Sequence, residues 1–306
     1  MAFGSALDLT DCTGGTAMPS NKPARVKELV TAIDALPTGA PLRPRDMERL
    51  RGRLLFSRSL CFGRFGGSAL RAVSRACCPL RPAFRVTQGL AQALSNLKLY
   101  LVRAPPRLIR VAHRRPPLLF SDGSAEPTEN RQIIAQIGAV LLDPVDGFYG
   151  FFRMVIPEPI LDVLTASGSE NIIHQVELIP LFVATALWKD RLAYRSSLSF
   201  VDNDGAKFAL VAGYSSNPHS CALLTACAEA CIARAISFWY ERVPSASNIA
   251  DAPSRGIKPQ DVPGWRAPIE CVIPASLVAD LLAILQGSGA SCSDFNVYCA
   301  SFCIPS

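Results

Sequence analysis

A segment rich in proline and arginine, Arg103 to Pro117 (RAPPRLIRVAHRRPP), separates two stretches of this sequence that have different hydrophobic periods. Proline lacks an amide donor and stops a helix, so the segment reads as a linker. Before it, apolar residues recur at helical spacing. Val26, Leu29, Val30, Ile33 and Leu36 predict a helix over Lys22 to Leu36; Met47, Leu50, Leu54 and Leu55 predict another over Pro44 to Phe56, and Thr87 to Val102 a third. After it the apolar runs are short and β-favouring: Leu118 to Ser121, Ile137 to Leu142 and Tyr149 to Ile156, separated by turn chemistry that includes Asp146-Gly147. These predict a three-stranded antiparallel start. A helix over His174 to Lys189, a strand over Ser197 to Val201, helices over Ala206 to Gly213 and Ser220 to Ala235, and a strand over Ile236 to Val243 follow. The order βββ-α-β-α-β, with one more candidate helix, predicts an α/β fold: a mixed five-stranded sheet flanked by helices, preceded by a basic, mainly helical segment.

The 306 residues are 49% apolar and 18% charged, enough to bury a core in each of two domains. The net charge of +6 conceals a division. Residues 1–115 carry 20 Lys and Arg against 6 Asp and Glu, whereas the rest carries 11 against 19. A basic front half suits a polyanion, and an acidic back half suits carboxylates that hold metal. The longest uncharged stretches are broken by polar residues, so no membrane span is expected. Met1 to Thr13 has Asp8 and Asp11 and no basic start ahead of an apolar run, which predicts an intracellular protein. Eleven unevenly spaced cysteines then read as reduced thiols. Cys221, Cys227 and Cys231, the pair Cys77 and Cys78, and Cys292, Cys299 and Cys303 lack the spacing of metal sites and read as small apolar or incidental residues.

Four acidic residues stand where this element order can bring them together. Asp122 ends the first strand in FSDGS, Glu177 lies on the first helix in QVELIP, Asp202 ends the fourth strand in FVDND, and Asp251 lies in SNIADAPSRG. Taken singly, three of them have a plain reading: Asp122 a turn before Gly-Ser, Glu177 an exposed helical charge, Asp251 a helix cap. Taken together with GAVLL, the VEL helix, GYS and WYERVPSASNIADAPSRG, they resemble the ribonuclease H domain of retroelement reverse transcriptases. The likeness is greatest to the tyrosine-recombinase retrotransposons of the DIRS and Ngaro type. It covers about residues 117–257. More weakly, NKPARVKEL and LRGRLLFSRSLCFGR are similar to the segment that precedes the ribonuclease H in such elements.

The resemblance implies a ribonuclease H-like domain over residues 117–260, preceded by residues 1–116, similar to a polymerase thumb or connection region with its linker, and followed by an extension over 261–306. No Y-x-D-D palm motif occurs, which implies a truncated element or a reading frame that begins downstream of the polymerase site. It further implies hydrolysis of the RNA strand of RNA–DNA hybrids, with a reverse transcriptase polymerase domain as a potential partner. Two Mg²⁺ ions, or Mn²⁺ in their place, would be held by Asp122, Glu177, Asp202 and Asp251, since hard cations take oxygen ligands. Asp204 is the rival of Asp202; Asp202 is preferred because it directly follows the strand. Ser124 and Asn248 are candidate substrate contacts, the first able instead to bond its own turn and the second to cap the approach to Asp251. The loop before Asp251 is VPSAS, without the His that cellular ribonucleases H often carry there. His113, His174 and His219 read as linker, surface or structural residues, and Trp188, Trp239 and Tyr240 as core or core-edge aromatics. A catalytically inactive nucleic-acid-binding relic is the alternative, and the unusual tail from Cys271 to Ser306 points to that relic or to a frameshifted end.

Overall fold

In a computed structural model of the chain, residues 5–13, 15–61, 66–78, 83–110, 115–127, 133–166 and 172–287 are described. They form two compact units that divide between residues 113 and 114. His113, Cys292, Cys299 and Cys303 lie outside the described residues.

The first unit begins with strands β1 (Ser5–Asp8) and β2 (Thr16–Asn21), followed by helices α1 (Pro23–Asp34), α2 (Pro44–Ser59), α3 (Gly67–Ala76) and α4 (Gln88–Arg103), then β3 (Ile109–Arg110). Pro23 and Pro44 open their helices at the position where a missing amide costs nothing. Thr87 caps α4 by accepting the Leu90 amide at 3.2 Å. Leu29, Met47, Leu54, Val73, Leu94 and Leu97 meet in the core of this unit. The three expected helices are present; α3 and the small antiparallel sheet β1-β2-β3 are additions. Within the Pro- and Arg-rich segment, α4 runs on to Arg103 and Ile109–Arg110 pairs with β2.

The second unit is built on a six-stranded sheet in the order β8-β7-β4-β5-β6-β9. Strands β4 (Leu118–Pro127), β5 (Ile133–Asp143) and β6 (Phe148–Val155) form an antiparallel meander. β7 (Ser196–Val201) lies parallel to β4, β8 (Ser237–Arg242) parallel to β7, and β9 (Ile269–Glu270) parallel to β6. This is the expected α/β class with a mixed sheet. The strand count corrects the expectation of five, because two residues of backbone at Ile269–Glu270 pair with β6 without any strand-like run of their own.

The helices are α5 (Glu158–Thr165), α6 (Ile173–Leu187), α7 (Lys189–Leu192), α8 (Asp204–Ala212), α9 (Pro218–Ala233), α10 (Asp251–Ser254) and α11 (Ala275–Leu285). α6 is buried without a break from Gln175 to Thr185, the pattern of a helix enclosed on all sides. Leu119, Ile137, Phe152, Val176, Ile179 and Leu223 share its core, and Leu277, Leu281 and Leu285 of α11 pack into the same cluster. On the other sheet face, Val140, Leu142, Tyr149 and Phe151 are covered by Ile249, Val262 and Trp265. Asn203 and Asn217 cap α8 and α9 by accepting amides at 3.0 Å. Among the described residues, no helix is long and apolar enough to cross a membrane.

Candidate metal centre

Asp122 does not end its strand. β4 continues to Pro127 because β5 pairs with it throughout, Asp122 lying opposite Gly138, so the turn reading of Asp-Gly-Ser is overturned by a partner strand. The buried Asp122 side chain stands beside β7, where Phe120 is in register with Phe200. Two residues on from this pair, Asp122 is still within β4 and keeps the side of Phe120 by the two-residue side-chain period, while Asp202 comes just past the end of β7. Asp202 follows directly after the last residue of β7.

Glu177 arrives from α6. Its approach depends on Gly123, where a Cβ would lie 2.7 Å from the Val176 carbonyl oxygen and 2.9 Å from Val176 Cγ1. That carbonyl has no amide four residues on to receive, since position 180 is proline. The Gly123 amide lies near enough to the Glu177 carboxylate to favour its charged form. A bare backbone at Gly123 thus lets the helix settle on β4 with Glu177 beside Asp122.

Among the described residues, Asp122, Glu177 and Asp202 are the group of acidic, His or Cys side chains placed to share a cation, with one carboxylate oxygen from each lying within 4.8 Å of the others. Burial pushes the Asp122 carboxyl up to about 6; the Ser254 hydroxyl opposes this, while the charges of Asp202 and Asp251 add to it. Burial pushes Glu177 up to about 9, with the charges of Asp122 and Asp202 adding and the Gly123 amide opposing. Glu177 Oε2 and Asp202 Oδ1 are buried without a hydrogen-bond partner. Unpaired buried carboxylate oxygens are costly, and a hard cation satisfies them.

Asp251 is the first residue of α10, close enough for its charge to act on Asp122 but outside the three-carboxylate group. Its Oδ1 accepts from Arg255 Nε at 3.1 Å, and Arg255 Nη1 also reaches Glu126 at 3.3 Å. Ser124 Oγ donates to the Ser254 carbonyl at 2.8 Å. The buried Asn248 donates from Nδ2 to the Ser121 carbonyl at 3.2 Å and accepts the Ala250 amide on Oδ1. Asp204 opens α8, has a side chain 60% exposed, and pairs with Arg242 Nε at 3.2 Å.

His174 is half-buried with Nε2 3.4 Å from Ser215 Oγ, and burial lowers its pKa. Trp188 is a core residue and Tyr240 packs on Phe238. Trp239 corrects the core-edge reading. It is 64% exposed, because strand alternation on the edge strand β8 turns it away from the face on which Phe238 is buried. Cys227 and Cys231 are buried in α9, where burial raises the Cys227 thiol far above its ordinary range.

Sequence pattern alone assigns no role to Ser254, Gly123 or Gly138. Ser254, wholly buried, places Oγ in hydrogen-bond contact with Asp122 Oδ2. Only the adjacency of the SNIADAPSRG string to the acidic set hinted at it.

No family model and no curated protein sequence matches the chain. Among solved structures, it is similar to ribonuclease H1 from the halophilic archaeon Halobacterium salinarum, at 17% identity and a TM-score of 0.33, over 46% of this chain and 95% of that one. It is also similar to the foamy viral protease-reverse transcriptase in complex with an RNA/DNA hybrid, at 8% identity and a TM-score of 0.34, over 83% of this chain. The match spans about half of the viral protein, 52% of its length.

Proposed function

We propose that the second unit is a metal-dependent endonuclease of the ribonuclease H type, which hydrolyses the RNA strand of RNA–DNA hybrids as part of a retroelement reverse transcriptase polyprotein. One observation carries the reading: carboxylates from a strand, a helix and a strand end converge in a largely buried site, with an oxygen of Glu177 and one of Asp202 unpaired. Such a cluster repels itself unless a cation neutralises it. The donors are all oxygen, the chemistry that suits Mg²⁺, with Mn²⁺ an alternative. Asp122, Glu177 and Asp202 would hold the cation, and Asp251 at the margin would serve a second. Bound there, such ions would supply the charge that in-line hydrolysis needs at the attacking water and the leaving 3′ oxygen.

The chain itself orients these ligands. The close approach of α6 to β4 at Gly123 would bring Glu177 in beside Asp122, and the parallel pairing of β4 with β7 would carry Asp122 and Asp202 to the same end of the sheet. The choice of substrate follows from the resemblance of WYERVPSASNIADAPSRG to retroelement sequences, and the excess of basic residues before position 116 supports a polyanionic partner.

Incubating the full chain with a hybrid labelled on its RNA strand tests the reading. The expected result is Mg²⁺-dependent cleavage of the RNA strand, abolished by EDTA, with duplex DNA left intact. Tight hybrid binding with no cleavage in Mg²⁺ or Mn²⁺ would replace the enzyme by a nucleic-acid-binding relic.

A further inference from the structure

We propose that Ser254 is a positioning residue that fixes the rotation of the Asp122 carboxylate in the metal centre, an inference that rests on the nuclease reading above. An aspartate carboxylate turns about its last bond in a broad, nearly two-fold well, so the side chain alone does not select which oxygen faces which neighbour. Ser254 removes that freedom. Its hydroxyl lies in hydrogen-bond contact with Asp122 Oδ2, with the Asp251 carbonyl 2.9 Å away as its other acceptor. A hydroxyl has one proton to donate, and the charged carboxylate is the stronger acceptor of the two.

The segment that carries Ser254 is itself fastened to β4 at successive points. Asn248 bonds the Ser121 carbonyl, Ser254 bonds Asp122, and Ser124 bonds the Ser254 carbonyl. The Ser254 amide donates to the Ala250 carbonyl at 3.0 Å, which closes the turn. Beneath it lies Gly138, the register partner of Asp122 on β5. A Cβ there would stand 2.3 Å from Ser254 N and 2.6 Å from Pro253 Cβ, so no larger residue lets the segment lie this close. Ser254 is completely buried, at 0% exposure, and water cannot take over its bond to Asp122. Two strands and the segment's own turn therefore place one hydroxyl on one carboxylate oxygen. Groups of this kind, which orient a metal ligand without touching the metal, typically change metal affinity by about 10- to 100-fold when removed.

The test measures Mn²⁺ binding to the full chain by calorimetry, with Mg²⁺ titrations of hybrid cleavage alongside, for wild type, Ser254→Ala and Ser254→Cys. The cysteine keeps the volume and gives up most of the hydrogen bond. Both variants are expected to bind Mn²⁺ at least about tenfold more weakly and to need correspondingly more Mg²⁺ for half-maximal cleavage, with KM for the hybrid unchanged and the rate largely recovered at saturating Mg²⁺. Wild-type Mn²⁺ affinity in Ser254→Ala, or its restoration in Ser254→Cys, overturns the proposal, since the hydroxyl then only fills space. A wild-type chain that binds Mn²⁺ without cleaving refutes the nuclease reading, while the binding series still decides the role of Ser254. A wild-type chain that binds no Mn²⁺ overturns both.

Discussion

Two residues separate Asp202 from Asp204, and the chain turns between them from the end of β7 into α8. Asp202 joins Asp122 and Glu177, whereas Asp204 faces outward onto Arg242. Asp202→Asn and Asp122→Asn are each expected to abolish cleavage with the fold retained, because an amide keeps the shape and loses the charge that holds a cation. Asp204→Asn should cleave within about twofold of wild type, since an exposed ion pair contributes little. Cleavage of labelled hybrid by the three variants checks this. The same cluster sets a pH dependence without metal. The folded chain holds protons on Asp122 to about 6 and on Glu177 to about 9, while unfolded carboxylates release theirs near 4. The native state thus binds more protons across that interval, and stability falls as pH rises through it. Glu229, pushed up to about 7 by burial, acts in the same direction. In EDTA, Glu177→Gln should therefore melt higher than wild type at pH 9 and by a smaller margin at pH 5. Thermal melts across that range would show the margin growing with pH; a constant margin would mean that Glu177 is not held protonated.

At the scale of elements, the site depends on close approaches that side-chain patterns do not encode. Gly123→Ala should drive α6 away from β4, costing about 1–3 kcal/mol of stability and, by displacing Glu177, about a hundredfold in cleavage, as read from denaturant melts and turnover. The long helices were legible because each covers several turns of an apolar period, as Val26, Leu29, Val30 and Ile33 do in α1. The meander was legible because its apolar runs alternate with turns. α5 and β9 were not, since eight residues are barely two turns and a two-residue strand owes its existence to β6. The extension of β4 through Asp122 was hidden for the same reason: Asp-Gly-Ser favours a turn locally, and only the ladder with β5 decides otherwise. The acidic residues could be considered together because the fold order and the resemblance carried by SNIADAPSRG pointed to them jointly; the structure brings Asp122, Glu177 and Asp202 within reach of one another and leaves Asp251 outside that group. Ser254 and Gly138 could not, because their work lies between segments more than a hundred residues apart in the chain.

For the whole molecule, the distribution of charge would determine how a polyanionic substrate meets the chain. Residues 1–115 carry 20 basic against 6 acidic side chains, and Arg45, Arg49 and Arg51 stand exposed on α2. Each phosphate neutralised by such a residue releases condensed counterions, which steepens the log–log salt dependence of binding by about 0.9 per contact. The triple variant Arg45→Ala, Arg49→Ala and Arg51→Ala is expected to bind hybrid more weakly, most of all at low salt, with a slope reduced by up to about three. The carboxylates that would do the chemistry all lie beyond residue 115, so turnover at saturating hybrid should stay close to wild type. Binding isotherms between about 50 and 200 mM salt, paired with turnover at saturation, separate the two effects. A slope and affinity equal to those of wild type would leave these three arginines as solvated surface. A loss of turnover at saturation would instead mean that α2 contributes to the productive placement of the hybrid and not to its capture alone.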